Sequence, residues 1–242
     1  MSNLVRNISP IKGNAKAAYS VIIVAAGAGN RVRSLGSRSL IQITPKQTVL
    51  DKQIANINDA LPNNEIILVT GFDSERVMKA APANIIKIEN ERYEETNIVR
   101  SIAIGLHAAR HPNVVIIHGD LVFSGETLKY AGFSNKSALI VSNSQEKRQD
   151  KIGCIVDNGV VEHMLYDLPY QWAEIIYLTG KELHLFSNLA KRKDKERLLD
   201  FEIVNSVIEK GGEFIPLSPN KMSVIDIDSS KDIIEAKAIC KS

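Results

Sequence analysis

Cysteine is scarce in this chain: Cys154 and Cys240 are the only two, far apart in sequence. That excludes a disulfide framework and a cysteine-ligated zinc site, and it fits a reducing compartment. No apolar run reaches the roughly 18 residues that a membrane helix needs. Met1 to Ala18 is polar, carries Pro10 and Gly13, and lacks the apolar centre of a signal peptide. The cytoplasm is therefore the expected location, without a membrane partner. Neither sign of charge dominates: 30 Lys and Arg stand against 28 Asp and Glu, a net +2. Nothing in that balance argues for nucleic acid. The five histidines show no H-E-x-x-H spacing and there is no Gly-x-Ser-x-Gly elbow. No histidine is assigned to catalysis, and a covalent nucleophile has little support.

What is present is an ordinary globular balance, 44% apolar and 24% charged, in 242 residues. The most informative stretch is Val21-Ile22-Ile23-Val24-Ala25-Ala26-Gly27-Ala28-Gly29-Asn30-Arg31. An apolar run closed by glycines reads as a parallel-sheet strand covered on both faces. The Gly27-Ala28-Gly29 turn can aim backbone N–H groups at an anion, and Arg31 adds a fork-shaped cation. Val32 excludes a dinucleotide fingerprint, and no Gly-Lys-Ser/Thr follows to make a P-loop. Beyond it, a long loop is expected over 27–47, a helix over 49–61, a strand over 65–70, a short helix capped by Asp73 or Ser74 and running to about Ala80, a strand over 84–88, a helix over 98–109 and a strand over 113–118. Strand and helix alternate four times, the signature of a parallel doubly wound sheet whose ligands sit at strand carboxyl ends. The second half differs. Strands are expected at 137–142, 152–157, 160–165, 172–178, 214–217 and 223–227, the second and third joined by the hairpin signal Asn158-Gly159. Helices are expected at 125–133, 181–189, 195–210 and from about 229 to Cys240. The organisation is a tail or added arm over 1–18 and one α/β domain over 19–242, with a doubly wound mixed sheet, parallel first and antiparallel later.

Several residues carry chemistry in that frame. Asp120 follows a buried strand and Gly119, a place for a divalent-metal ligand or for a turn-capping Asp. Asp226 and Asp228 share a face by strand period, which favours a cation between them; Asp228 or Ser229 is also a candidate cap for the last helix. Arg31, Arg33, Arg38 and Lys46 form either a triphosphate clamp or a solvated basic loop. Asn90, Thr96, Asn97, Arg100 and Ser101 open a helix, as caps or as base-recognising groups. Trp172, the single tryptophan, lies two residues before Glu174. On a strand both point the same way, which suits an alkylammonium group by cation–π and charge; an aromatic core strand is the plainer reading.

Taken in order, these segments resemble the nucleotidyltransferase superfamily that makes NDP-sugars and CDP-alcohols. The family's G-x-G-x-R loop is matched by Gly27, Gly29 and Arg31. Its Pro-Lys-x-Leu segment looks like Ser37-Arg38-Ser39-Leu40, with arginine for lysine. Gln53-Ile54-Ala55-Asn56-Ile57 matches a helix end. Asn90, Tyr93, Thr96, Asn97 and Ser101 are similar to the phosphocholine cytidylyltransferase-like branch. Gly119-Asp120 and Asp226-Ile227-Asp228 match the metal segments, and Tyr166 stands where a substrate-side lysine is common.

The resemblance implies a nucleotide-binding half followed by an antiparallel acceptor-binding half. It also implies transfer of a nucleotidyl group with release of pyrophosphate. Ala25, Ala26, Gly27, Ala28, Gly29, Asn97 and Ser101 would bind the nucleotide, with Arg31 and Arg38 on the phosphates. Asp120 with Asp226 or Asp228 would hold Mg²⁺, and Trp172 and Glu174 would face the acceptor. CTP is the favoured nucleotide, and phosphocholine or aminoethylphosphonate the favoured kind of acceptor, for a cell-surface polysaccharide or phospholipid precursor. A monomer or homodimer is expected. A sugar-1-phosphate nucleotidyltransferase and a non-catalytic nucleotide-binding regulator are the alternatives.

Overall fold

A computed structural model describes residues 6–8, 17–29, 36–129, 136–142, 151–220 and 222–240. The strands in chain order are β1 (Arg6–Ile8), β2 (Tyr19–Ala25), β3 (Gln42–Thr44), β4 (Gln47–Thr48), β5 (Asn64–Thr70), β6 (Ile86–Glu89) and β7 (Asn113–His118). They continue as β8 (Leu121–Phe123), β9 (Ala138–Ser142), β10 (Ile152–Asp157), β11 (Val160–Tyr166), β12 (Tyr170–Thr179), β13 (Ile215–Pro219) and β14 (Val224–Asp226). The helices are α1 (Val49–Ala60), α2 (Ser74–Ala80), α3 (Ile98–Ala108), α4 (Gly180–Ala190), α5 (Asp200–Glu209) and α6 (Ser230–Ile239).

The main sheet runs β1-β13-β9-β12-β7-β2-β5-β6. β7, β2, β5 and β6 are parallel, and β12 is antiparallel to both β7 and β9. The mixed sheet is therefore the expected one in its parallel first half and in the antiparallel β12, but beyond β12 the strand β13 pairs in parallel with β9. Each central strand is apolar on both sides. Ile22 and Val24 join one core with Ile102, Phe186 and Val204, while Val21 and Ile23 join the other with Leu50, Ile57 and Val77. Continuous burial on both faces is what a helix-covered parallel sheet requires.

Three expectations change, and the N-terminal arm gains a pairing. Residues 27–47 are not one loop: the described part holds a 3-10 turn at Arg38–Leu40 and the small hairpin β3–β4. The helix expected over 195–210 starts at Asp200, after a separate 3-10 turn at Lys193–Lys195, because Leu199 caps it with Glu202 bonding back to the Leu199 N–H. Only a 3-10 turn, Gly125–Thr127, occurs in the described part of the helix expected over 125–133. Residues 6–8, in the N-terminal arm, pair in parallel with β13. The Asn158-Gly159 hairpin forms as read, with φ of 48° and 80° at the two turn residues.

One contact sets how closely α3 lies on β2. A Cβ at Gly105 would sit 2.5 Å from Ile22 Cγ2 in a fully buried, β-branched side chain. Alanine would add about 1 kcal/mol of helix propensity, against overpacking of about 1–3 kcal/mol. Gly105→Ala should therefore lower the urea midpoint with an unchanged m-value; a higher midpoint contradicts the packing account.

Candidate functional site

Neighbouring strand ends supply the site. The β7–β12 register pairs Ile117 with Ile175, which sets Glu174 beside His118. The short pair β8–β14 sets Asp226 opposite Leu121, and Ile227 N–H donates to the Asp120 carbonyl at 3.1 Å. Asp120 and the Asp226–Asp228 segment thus meet although 100 residues separate them in sequence. The motif on α1 supports this corner. Gln53 Nε2 donates to the carbonyls of His118 and Leu121, both at 2.8 Å, and Asn56 Nδ2 donates to the Phe123 carbonyl at 2.6 Å. Gly119 is required by close approach: a Cβ there would lie 2.8 Å from Ala25 Cα.

Arg38 stands at the centre. Its Nη2 lies 2.6 Å from Asp120 Oδ2 and its Nη1 lies 2.7 Å from Asp228 Oδ1, and Nη1 also donates to the Ile227 carbonyl at 3.3 Å. The glycine loop rests on it, since a Cβ at Gly29 would sit 2.7 Å from Arg38 Nε. Lys151 pairs with Asp226 and lies 3.6 Å from Asp228. So the two acids on β14 and after it do share cations, and those cations are side chains. Ser229, with Asp232, caps α6, which frees the Asp228 carboxylate for Arg38. Arg31 and Arg33 lie outside the described residues.

His118, given no role above, lies between two acids. Its Nε2 is 2.7 Å from Asp200 Oδ2 and its Nδ1 is 3.1 Å from Glu174 Oε2. Burial alone would lower its pKa, but the charges of Asp200 and Glu174 outweigh that and hold it well above the ordinary histidine value. Burial pushes the Asp120 carboxyl up, against the opposing charge of Arg38. Burial and the neighbouring Asp226 push Asp228 up. Burial would raise Asp226 too, but Lys151 outweighs it and keeps that acid below its ordinary value.

Two clefts adjoin this cluster. One, of about 280 Å³, is lined by Ala26, Gly27, Arg38, Asn97, Ser101 and Asp120 among others. Asn97 caps α3, accepting the Ile98 N–H at 2.8 Å, and Ser101 is buried against Asn90 Nδ2 at 3.1 Å. Ala25 ends β2, and Ala28 and Gly29 follow Gly27. The other cleft, of about 350 Å³, is lined by Ser142, Lys151, Trp172, Glu174 and Asp226 among others. The His118–Glu174 contact joins a residue of each. Trp172 and Glu174 reach the same cleft by a route other than simple alternation: the β12 register breaks between Trp172 and Ile176, and Glu174 has φ 56°. Trp172 is also largely core, 7% exposed, with its indole N–H donating to the Ile175 carbonyl at 3.2 Å. Tyr166 is exposed and packs edge-on against Phe201, and Lys151 lines the second cleft.

Whether a metal fits can be asked of the donors. His118, Asp120 and Glu174 bring ligand atoms within 4.8 Å of one another. Asp120 Oδ1 is buried and has no hydrogen-bond partner among the described residues. Among those residues Arg38, Lys151 and His118 face Asp120, Glu174, Asp200, Asp226 and Asp228, three cations against five acids. The excess, with all ionised, is the charge of one divalent cation. Both His118 nitrogens are already engaged by carboxylates, so oxygen ligands remain, as a hard cation prefers.

A mixed sheet, parallel in its first half and covered by helices on both faces, is the fold of the nucleotidyltransferases. The chain belongs to the family described as the MobA-like NTP transferase domain, which it matches over residues 21–190. No curated protein matches it by sequence. Among solved structures it is similar to the CTP:phosphocholine cytidylyltransferase from Streptococcus pneumoniae, at 16% identity and TM-score 0.75 over 92% of this chain and 99% of that one. It is also similar to the inositol-1-phosphate CTP transferase from T. maritima, at 18% identity and TM-score 0.73 over 93% and 97%. A UDP-glucose pyrophosphorylase bound to UDP-glucose follows at 13% identity and TM-score 0.71 over 93% and 98%.

The guanidinium and a divalent cation would compete for Asp120 and Asp228. Arg38→Met should therefore raise the Mn²⁺ affinity of the nucleotide-free protein about tenfold or more, roughly 1.4 kcal/mol, read by electron paramagnetic resonance. Unchanged or weaker Mn²⁺ binding contradicts the competition.

Proposed function

We propose that this protein is a Mg²⁺-dependent cytidylyltransferase. It moves CMP from CTP to a small phosphate or phosphonate monoester with a cationic end, such as phosphocholine or aminoethylphosphonate. The observation that carries the reading is the lining of the second cleft. One cation, Lys151, stands with Trp172 and the carboxylates of Glu174 and Asp226. A zwitterion fits that set: its phosphate meets Lys151, and its ammonium meets the carboxylates and the indole of Trp172, whose ring face attracts a cation.

In the reaction an acceptor oxygen attacks the α-phosphorus, the bond from that phosphorus to the β-bridging oxygen breaks, and pyrophosphate leaves. The protein supplies position and charge. Backbone N–H groups from Ala25 to Gly29 cradle the nucleotide, with Asn97 and Ser101 on the base or ribose side. Arg31, by its place in the glycine motif, meets the departing pyrophosphate. Arg38, released from Asp228, meets the α-phosphate or the attacking oxygen. Lys151 holds the acceptor phosphate. Asp120, with Asp226 or Asp228, would hold Mg²⁺, which when bound offsets negative charge gathered between the two substrates.

A pyrophosphate-release assay across CTP, UTP, GTP and dTTP, with amino-alcohol phosphates, aminoethylphosphonate and hexose 1-phosphates, tests this. Release is expected with CTP and a zwitterionic acceptor. Preference for a hexose 1-phosphate makes the enzyme an NDP-sugar former, and CTP binding without release by any pair makes it a regulator; either result overturns the proposal. In the working pair, Asp120→Asn should lower kcat on the order of 10²-fold or more, the scale of a lost electrostatic stabiliser, with an unchanged circular dichroism spectrum. Near-normal turnover removes Asp120 from the metal site.

A further inference from the structure

The cluster around His118 holds a feature that nucleotidyl transfer alone does not call for. Asp200 is 2% exposed and opens α5. Its Oδ1 accepts the Phe201 N–H at 3.1 Å and its Oδ2 meets His118 Nε2 at 2.7 Å. The opposite edge of the ring meets Glu174 at 3.1 Å. One ring nitrogen is hydrogen-bonded to Asp200 and the other lies within ion-pair distance of Glu174. The ring also stands edge-on to Trp172, with centroids 5.6 Å apart and planes at 85°. A carboxylate at each edge and an aromatic against the ring fix its orientation.

Glu174 needs such support. It is one of four described non-glycine residues with positive φ, at 56°, and it sits where the β12 register breaks. A glutamate in that backbone region persists only where its surroundings over-determine it. On the other side, the start of α5 belongs to the nucleotide cleft. Leu199 lines that cleft, the Glu196 carbonyl accepts the Asn97 N–H at 2.9 Å, and Arg92 pairs with Glu196 at 2.9 Å.

We propose that His118 is a positioning residue that transmits the fixed place of Asp200 to Glu174, so that the start of α5 aligns the acceptor cleft with the nucleotide cleft. The inference rests on the two-cleft reading above and goes beyond it. Neither Asp200 nor His118 need touch substrate. Asp200 acts through His118 on the strand bulge, and the bulge presents Glu174. Asp200→Asn keeps the shape of the side chain and removes its charge, so it should loosen Glu174 while leaving the glycine loop and α3 in place.

The experiment uses Asp200→Asn, Glu174→Gln and the double variant in the full chain, with whichever acceptor the wild-type protein turns over. Asp200→Asn should raise the acceptor KM tenfold or more and leave the nucleotide KM within twofold. The double variant should be no worse than Glu174→Gln alone, because both lie on one path. Equal rises in both KM values, or additive losses in the double variant, overturn the proposal. So does a lower Tm with unchanged KM values, since that is what a purely structural Asp200 gives. Asp200→Glu, which restores the charge, should recover part of the acceptor KM. Hydrogen–deuterium exchange supplies an arm independent of turnover: Asp200→Asn should speed exchange over residues 172–176 and not over residues 21–27. If no acceptor is turned over, the cytidylyltransferase reading fails. Exchange then decides alone, with unchanged exchange over 172–176 ending the relay.

Discussion

A guanidinium held between two carboxylates is the contact on which the rest of the site depends. Arg38 ties Asp120, at the end of a parallel strand, to Asp228, just past a strand a hundred residues later. Asp120 is the more buried acid of the pair and Asp228 the more exposed, so deleting the cation costs most at Asp120, and swapping one cation for another avoids that cost. The corner is therefore built to hold a positive charge at all times. Arg38 holds that place in the structure as it stands, Lys151 does the same beside it for Asp226, and the buried oxygen of Asp120 lacks a partner among the described residues. A site with two fewer cations than acids accepts a divalent ion more readily when one of its own cations can swing to a phosphate. Arginine suits this better than lysine, because its fork can bridge two acids and later two phosphate oxygens.

Much of this was legible in the chain because the signals were local. The apolar run ending at Ala26, the Gly-Asp after β7 and the Asn158-Gly159 turn each depend on a few adjacent residues. What could not be read depends on distance or on irregularity. β8 is three residues long, and its partner is β14, so no periodicity announces it. Lys151 joins the site without a motif to mark it. His118 looked like an ordinary strand residue because its partners, Asp200 and Glu174, come from a helix start and a bulge. Trp172 and Glu174 were paired by strand alternation, and the structure pairs them by breaking it.

The same geometry explains why the two halves of the fold differ. The parallel half gathers strand ends and a glycine loop at one edge, where backbone N–H groups and a helix start can receive a nucleotide. The antiparallel half brings β12 back along β7, which lets a bulge place a carboxylate against the last residue of the neighbouring strand. Sheet topology thus lays two clefts side by side with one acidic corner between them. The family gives the class of chemistry, and under the proposed function the choice of acceptor falls to the side chains of the second cleft.

The central claim is that Arg38 keeps the place of a metal ion until nucleotide arrives. Anomalous diffraction from crystals grown with Mn²⁺ and a non-hydrolysable cytidine triphosphate analogue tests it most directly. The account predicts a Mn²⁺ peak on Asp120 and at least one of Asp226 and Asp228, with the Arg38 guanidinium moved from Asp228 to a phosphate. A peak away from these carboxylates, or Arg38 still bridging Asp120 and Asp228 beside bound nucleotide, would contradict it.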